Sequence, residues 1–159
     1  MNVMLIKAST EYKEVIKNLM QFYIYDFSEY IGCDVEKEGL FGEYAGLDDY
    51  WKEQNNRFPY IIVQEEKYLG FVLVRLIESP ERAYFSIAEF FILRKYRRQG
   101  IGKMIALQIF NLQRGQWEVF QKESNKAAQA FWRNVINEYT GGKFTERCEH
   151  GRSIQNFEN

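Results

Sequence analysis

Residues that build metal sites, disulfide frameworks and nucleophilic triads are scarce in this sequence. Its 159 residues include two cysteines, Cys33 and Cys148, and a single histidine, His150. The cysteines have no CxxC spacing, and one histidine among scattered acids gives no metal-ligand spacing. His150 lies in a predicted hairpin turn, where a surface position is expected. The sequence therefore predicts no metal site and no Ser-His-Asp or Cys-His triad.

Long apolar runs and an excess of one charge are also lacking. No uncharged apolar stretch reaches the roughly 18 residues that a membrane span needs, and residues 1–10 have no basic segment leading into an apolar run, as a signal peptide would. The 21 basic and 22 acidic residues give a formal net charge of -1, which provides no general attraction to nucleic acid or to an anionic membrane. We expect a cytoplasmic protein whose two cysteines are buried thiols rather than a disulfide.

Material for a hydrophobic core is plentiful, since 46% of the residues are hydrophobic and 17% aromatic. The length predicts one domain over residues 1–159. Apolar periodicity predicts the element order βα(α)βββαβαββ. The predicted strands are 3–8, 60–64, 69–77, 83–93, 117–121, 144–148 and 153–157. The predicted helices are 11–23, with Ser9 or Thr10 as its cap, 47–54, 100–113 and 125–138.

The connections between these elements predict how the strands pair. The three consecutive strands joined by tight turns must be antiparallel, whereas the strand–helix–strand step through 100–113 implies a parallel neighbour. The predicted fold class is therefore α/β, with a mixed sheet of about six to seven strands and helices on both faces. Residues 28–56 lack clear periodicity. They are either a substrate-facing segment or a variable surface connection.

The informative stretch is a basic turn that leads into an apolar helix. Arg97 and Arg98 precede the helix, and Gly100, Gly102 and Lys103 lie at its start. The first amides of a helix have no intrahelical acceptor and carry partial positive charge, and glycines let a phosphate approach them closely. The turn therefore predicts a pyrophosphate site. On this feature alone, an exposed basic turn with glycines used for packing stays open as the alternative.

Two other phosphate motifs do not fit. The third glycine of GxGxxG is replaced by Ile105, and the Walker pattern fails because Lys103 is followed by Met104 rather than by Ser or Thr.

The segment from Arg97 to Gly102, Arg-Arg-Gln-Gly-Ile-Gly, resembles the Arg/Gln-x-x-Gly-x-Gly/Ala signature of the GNAT superfamily of N-acetyltransferases. The preceding strand, 87–93, and the helix that follows are similar to motif A of that family. Asn125, Ala128 and Phe131 resemble the start of its motif B. The element order is also similar to that of the GNAT fold, so the resemblance covers the whole chain in topology and residues 89–132 in motifs.

The resemblance implies transfer of an acetyl or other short acyl group from acyl-CoA, with acetyl-CoA as co-substrate, to a primary amine of a small molecule or peptide. The backbone of Phe91 and Ile92 would pair with the pantetheine arm like an extra strand. Asn125 would contact pantetheine while capping its helix, although a plain cap is an equal alternative. The pyrophosphate would be held by Arg97, Arg98, Gln99, Gly100, Ile101, Gly102 and Lys103. Dimerisation is common in the family, so the resemblance also allows a homodimer.

Glu89 is the candidate general base. Period-two counting puts it on one strand face with Phe85, Ile87, Phe91 and Leu93. Apolar neighbours should raise its pKa toward the range useful for base catalysis, and many family members carry an acidic residue near this point. A bulge that turns Glu89 outward into an ion pair is the alternative.

Trp132 departs from the family pattern, in which a Tyr seven residues after the motif B Asn acts as general acid. Tyr139 and Tyr96 are weakly supported substitutes. This departure motivates the alternative of an acyl-CoA-binding module with little or no transfer. A nucleic-acid-binding domain using the basic cluster at 94–98 is less favoured, because no stacking aromatics are interleaved there.

By analogy with the family, the first helix and residues 23–51 would line the acceptor side. Six acidic residues there would suit a cationic amine, or would simply be solvated: Asp26, Glu29, Asp34, Glu36, Asp48 and Asp49.

Overall fold

The computed structural model describes residues 2–159 and has the predicted element order. The strands are β1 (Met4–Lys7), β2 (Arg57–Gln64), β3 (Lys67–Glu78), β4 (Ala83–Ile92), β5 (Gln116–Lys122), β6 (Thr145–Glu149) and β7 (Arg152–Glu158). The helices are α1 (Lys13–Ile31), α2 (Asp49–Lys52), α3 (Ile101–Leu112) and α4 (Lys126–Thr140). Short 3₁₀ turns, Thr10–Tyr12 and Arg94–Tyr96, precede α1 and follow β4.

The seven strands form one mixed sheet in the order β1-β2-β3-β4-β5-β7-β6. β4 and β5 are parallel, with Phe85 opposite Trp117. The pairs β1–β2, β5–β7 and β6–β7 are antiparallel. The mixed sheet with a parallel pair around the α3 crossover is confirmed.

The chain divides into two compact units. Unit 1 contains the described residues up to Leu73 together with Glu89–Tyr96, and unit 2 contains Val74–Ala88 and Arg97–Asn159. Two of the boundaries fall within β3 and β4, so each of these strands contributes to both units, and the third lies between Tyr96 and Arg97. One domain over residues 1–159 stays a prediction.

The core of unit 1 combines α1 with the strands that belong to this unit. The buried residues of α1 are Ile16, Leu19 and Met20, spaced three and four apart as an amphipathic helix requires. One turn further along, Tyr23 contacts Phe71 and Phe91 edge to face, with ring centroids 5.9 and 5.7 Å apart. These aromatic contacts connect α1 with β3 and with the carboxyl end of β4.

Helix α1 is longer than the sequence pattern indicated. It continues to Ile31 and ends at Gly32, whose φ of 64° is the left-handed value that closes many helices. Phe27 extends the apolar stripe, because its ring stacks on Tyr23 and packs against Tyr30. The prediction that residues from 28 onward lie in a loop was therefore wrong for 28–31. Ser9 takes the N-cap position of the 3₁₀ turn that precedes α1, but it makes no capping hydrogen bond, because its hydroxyl donates to the Glu11 carboxylate.

The core of unit 2 is an aromatic cluster that α3, α4, β5 and β7 share. Phe110 lies 4.9 Å from both Trp117 and Phe157, ring centre to ring centre, and contacts Tyr139 at 5.2 Å. The Asn159 side chain donates to the carbonyl of Phe110 at 2.6 Å. Asn159 is thereby fixed to α3, and the ring contacts of Phe110 pack the carboxyl end of that helix into the core of unit 2.

Both cysteines are free thiols, as expected, but they are not buried. Cys33 is half-buried, and Cys148 is exposed because every residue of β6, the last strand in the sheet order, is exposed. His150 is exposed in the β6–β7 turn. Within residues 2–159, no helix has the length and apolar character required to cross a membrane.

Candidate active site

The turn that enters α3 has an unusual backbone. Arg98 has φ of 59° and Gly100 has φ of 79°, both in the left-handed region that favours glycine. Gly100 is the N-cap of α3, and no atom lies within 4 Å of where its Cβ would be. Alternating left-handed and right-handed residues turn successive N–H groups toward one side of the chain and create anion-binding concavities. A strained non-glycine residue such as Arg98 is also common at functional sites.

The first N–H groups of α3 come before its first intrahelical hydrogen bond and have no acceptor within the helix. That bond runs from the Met104 N–H to the Gly100 carbonyl, at 3.1 Å. The N–H groups of Ile101, Gly102 and Lys103 precede it and carry the positive end of the helix dipole. The side chain of Ile101 is buried and anchors the first turn. The start of α3 can thus receive a phosphate oxygen on its main chain.

The basic side chains of this turn lie at the surface. Arg97 and Arg98 are both exposed. Lys103 is held by α4, since its ammonium lies 2.6 Å from the Glu138 carboxylate. Lys103 would have to leave Glu138 to contact a bound phosphate.

Asn125 caps α4, as the sequence predicted. Its side-chain oxygen accepts from the Ala128 N–H at 3.1 Å, which satisfies one of the unpaired amides of the first turn. The structure thus explains Asn125 as a capping residue, and contact with a cofactor stays a prediction.

The carboxyl end of β4, in unit 1, lies unusually close to β3. A Cβ added to Gly70 would be 1.9 Å from the Phe91 carbonyl oxygen, so only glycine fits there. Beside this contact, the N–H of Leu93, the residue that follows β4, donates to the carbonyl of Leu69 on β3 at 2.8 Å. The side chains of Phe91 and Ile92 are buried. This arrangement fixes the backbone of Phe91 and Ile92 while their side chains serve the core.

Glu89 faces two phenols. The Tyr44 hydroxyl donates to its carboxylate at 2.9 Å, and Tyr23 also hydrogen-bonds to it. Burial raises the pKa of Glu89 above its ordinary value, against the hydrogen bonds from Tyr23 and Tyr44, which lower it. Burial and the Glu89 charge raise the pKa of Tyr23 well above the usual value, so this phenol remains protonated. Glu89 and Phe91 both lie close to Tyr23, as expected of residues two apart on one strand face.

A cleft of about 380 Å³ opens over Glu89 within unit 1. Its wall is mainly apolar and aromatic and includes Tyr23, Ile24, Phe27, Ile31, Phe41 and Tyr44. The volume lies in the range of about 300–1,000 Å³ that is common for small-molecule sites. The first helix and the segment after it line this cleft, and its use by the acceptor stays a prediction. Tyr44 was not foreseen, because no sequence pattern links it to a residue 45 positions away.

Trp132, at the family's general-acid position, and Tyr139, one of the two candidate substitutes, have structural roles. Trp132 is 7% exposed and packs against Phe110 and Phe131. The Tyr139 hydroxyl donates to Asn111 and accepts from Asn159. Both residues therefore contribute to the core of unit 2.

The comparison with protein families bears on this arrangement. The family model described as Acetyltransferase (GNAT) family matches residues 19–135, well over half of the chain. The chain belongs to the GNAT acetyltransferase family. Acyl transfer from acetyl-CoA to an amine, with acetyl-CoA as co-substrate, is therefore its activity. The match includes α1 from Leu19 onward, Glu89, the turn into α3 and the start of α4.

Solved structures of GNAT acetyltransferases share the fold at low sequence identity. The PaiA N-acetyltransferase of Thermoplasma acidophilum, solved with coenzyme A, has a TM-score of 0.68 and 12% identity over 100% of both chains. NAA60 of Arabidopsis thaliana, solved with a bisubstrate analogue, has a TM-score of 0.66 and 11% identity, covering 99% of this chain and 98% of that one.

A third similar structure is an aminoglycoside acetyltransferase from an uncultured soil metagenomic sample, solved with sisomicin. Its TM-score is 0.63, with 17% identity over 93% of each chain. No curated protein matches this chain in sequence. These structural comparisons show that the chain has the GNAT fold.

Proposed function

We propose that this GNAT acetyltransferase transfers the acetyl group of acetyl-CoA to the nitrogen of a primary amine, with Glu89 as the general base. The observation that carries the proposal is the position of Glu89, which lies at a small-molecule cleft and is hydrogen-bonded by Tyr23 and Tyr44. Burial gives this carboxylate a raised pKa, as a base working near neutrality requires.

In the proposed reaction, the ammonium form of the amine loses a proton to the Glu89 carboxylate. The neutral nitrogen then attacks the thioester carbonyl carbon and forms a tetrahedral intermediate, and the C–S bond breaks when this intermediate collapses. The nitrogen loses a second proton, the departing sulfur takes up one proton, and the products are an amide and the coenzyme thiol. A main-chain N–H near Phe91 and Ile92 would stabilise the oxygen of the tetrahedral intermediate.

The cofactor contacts follow from the turn into α3. The main-chain N–H groups of residues 98–103 would hold the pyrophosphate, with added charge from Arg97, Arg98 and Lys103. The main chain of Phe91 and Ile92 would pair with pantetheine, and Asn125 would contact that arm next to its cap. The left-handed backbone at Arg98 and Gly100 supports the pyrophosphate assignment.

The buried Trp132 offers no acid to the departing sulfur. Because a thiol has a pKa of about 8.5, its thiolate can leave near neutrality without prior protonation. The family's Tyr is therefore dispensable for a modest rate. We also expect the enzyme to act in the cytoplasm, a location that the two free thiols support.

The test of the function has two independent readouts. Calorimetry with acetyl-CoA measures binding, and release of the coenzyme thiol across a panel of amines measures transfer. We expect saturable binding and thiol release that depends on the amine. Binding without release from any amine would favour an acyl-CoA-binding module, and no binding would reject the cofactor site.

The pyrophosphate assignment can be tested with a shortened donor. Replacing Arg97 and Arg98 by Ala should weaken acetyl-CoA binding about tenfold or more, because hydrogen bonds to charged groups contribute about 1.5–3 kcal/mol. Binding of S-acetylpantetheine, which has no pyrophosphate, should not change. Arg114→Ala removes an exposed charge beyond the carboxyl end of α3 and is the matched control. Equal weakening toward both donors would contradict the assignment.

A further inference from the structure

The cleft over Glu89 has a wall that α1 holds in place through evenly spaced polar side chains. Lys13, Lys17 and Gln21 lie four residues apart on α1, so they share one face of the helix. The Lys13 ammonium lies 2.9 Å from the Asp48 carboxylate, and that of Lys17 lies 3.8 Å from Glu43.

The third contact is the most specific. The Gln21 side-chain amide donates to the Phe41 carbonyl at 3.1 Å and accepts from the Phe41 N–H at 2.9 Å. Through these two bonds the Gln21 side chain satisfies both backbone polar groups of Phe41, a loop residue outside the sheet. They fix the segment 41–45, which carries both the Phe41 ring and the Tyr44 hydroxyl that donates to Glu89. Hydrogen bonds to α1 and to Glu89 therefore hold the aromatic wall in place.

Ion pairs engage several of the carboxylates on this side of unit 1. Asp26 lies 2.7 Å from the Arg94 guanidinium, and Asp48 and Glu43 are paired with lysines of α1. Of the carboxylates that line the cleft, Glu89 lies beside the aromatic rings and Asp34 is exposed. Asp26, Glu43 and Asp48 therefore each have a basic partner, and the buried carboxylate of the cleft is Glu89, whereas Asp34 and Glu43 are exposed to solvent.

We propose that the acceptor is a primary amine carried on a flat apolar group, such as an arylalkylamine, in preference to a polyamine or an aminoglycoside. The inference rests on the proposed function and names the acceptor class for that same cleft. The single ammonium would pair with Glu89. The apolar body would pack against the rings of Phe27 and Phe41 and against Ile24 and Ile31. In a molecule with several charges, the further ammonium groups would lie against the apolar walls, which costs free energy, or would reach the exposed Asp34 and Glu43, where pairing with a solvated carboxylate adds little.

The first experiment compares 2-phenylethylamine with spermidine on the unaltered protein at equal acetyl-CoA. We expect kcat/KM for thiol release to be at least tenfold higher with 2-phenylethylamine. Calorimetry of each amine in the presence of coenzyme A repeats the comparison without turnover, and we expect tighter binding of 2-phenylethylamine. An equal or stronger response to spermidine in either assay, or no heat from either amine, would overturn the proposal.

A charge introduced at the cleft should change the preference. Ile31 lines the cleft, is 42% exposed and is the last residue of α1, so Ile31→Glu adds a carboxylate without disturbing the core. We expect the ratio of kcat/KM for 2-phenylethylamine over that for spermidine to fall about tenfold. Phe22→Glu is the matched control, because Phe22 is 57% exposed on the same helix and does not line the cleft. A similar fall in both variants would contradict a role for the cleft wall.

These results separate failure of the acceptor class from failure of the function. Acetyl-CoA binding with preferential use of spermidine would leave the acetyltransferase intact and reject the aromatic acceptor. Loss of acetyl-CoA binding in the unaltered protein would instead reject the proposed function itself.

Discussion

At Glu89, burial and hydrogen bonding act on the carboxyl pKa in opposite directions. Burial raises this pKa, and the phenols of Tyr23 and Tyr44 lower it, with burial the larger effect. A carboxylate with a raised pKa accepts a proton more readily than an exposed one, yet the phenols keep the ionised form accessible. Glu89 and the two phenols therefore determine both the position of the base and the pH range in which it is ionised.

Replacing Glu89 by Gln should remove the base while leaving a side chain that can still accept from Tyr44. We expect kcat to fall about 10²–10⁴-fold, the usual contribution of general base catalysis. Acetyl-CoA binding measured by calorimetry should be unchanged. Glu66→Gln, in the exposed β2–β3 turn, serves as the control. Turnover of the Glu89 variant at the unaltered rate, with the same pH profile, would reject the base assignment.

Tyr44→Phe should change the pH dependence and leave the base present. Removing this hydrogen bond removes one of the effects that lower the pKa of Glu89, so that pKa should rise further. Activity requires the deprotonated base, so the acid limb of kcat/KM should move to higher pH and recover at the alkaline plateau. Tyr25→Phe, at a tyrosine that is 65% exposed on α1, should leave the limb in place. An unmoved acid limb in Tyr44→Phe would contradict the coupling.

At the scale of elements, the close approach of β3 and β4 sets the position of Phe91. Gly70 allows this approach, because any Cβ there would meet the Phe91 carbonyl oxygen. The backbone proposed to pair with pantetheine is therefore fixed by a glycine on the neighbouring strand. No motif in the sequence marks Gly70 for this role.

Gly70→Ala should force β3 and β4 apart in unit 1. We expect a loss of about 1–3 kcal/mol or more in the free energy of unfolding, as overpacking of a core causes. Acetyl-CoA binding should weaken as well, because the Phe91 backbone moves. Gly32→Ala, where nothing lies within 4 Å and only the left-handed φ of 64° opposes a side chain, should cost about 1 kcal/mol and leave binding unchanged. Urea denaturation and calorimetry measure the two effects, and equal behaviour of both variants would contradict the steric argument.

At the scale of the whole molecule, Glu118 and Glu89 make the free energy of unfolding depend on pH in opposite directions. In unit 2, burial raises the pKa of Glu118, but hydrogen bonds from Arg82, Asn156 and Arg147 outweigh it, so the net pKa lies below the ordinary value. A depressed carboxyl pKa contributes stability above the unfolded value, and that contribution is lost as pH falls through the folded one. The raised pKa of Glu89 has the reverse sign, and its contribution is lost as pH rises.

Glu118→Gln should therefore destabilise the protein near neutrality and not in acid. We expect a loss of about 1–3 kcal/mol at about pH 7, since hydrogen bonds between charged groups are removed. The difference from the unaltered protein should shrink toward zero as the solution is acidified below the ordinary pKa of a glutamate. Urea unfolding across pH measures this, with Glu123→Gln at an exposed position as the control. A difference that stays constant with pH would contradict the ionic origin.

The sequence pattern predicted the elements well where periodicity was strong. The order of strands and helices, the parallel step around α3, and the Asn125 cap could all be predicted, because each depends on local spacing or on chain connectivity. The end of α1 was placed too early, although Phe27 extends the apolar stripe four residues beyond Tyr23, and its packing on Tyr23 and Tyr30 holds the last turns of the helix. The burial of Cys148 was predicted wrongly, because the position of β6 in the sheet order is not a local property.

By itself, the sequence determined the family, the nature of the co-substrate and the turn expected to bind pyrophosphate. These depend on residues adjacent in the chain, where the glycines and arginines at 97–103 act through local backbone geometry. Only the tertiary structure decided what surrounds Glu89, because Tyr23 and Tyr44 reach it from distant parts of the chain. It also decided the aromatic wall and the ion pairs that engage the nearby acids. Such contacts form only when folding brings distant segments together, and no local spacing encodes them.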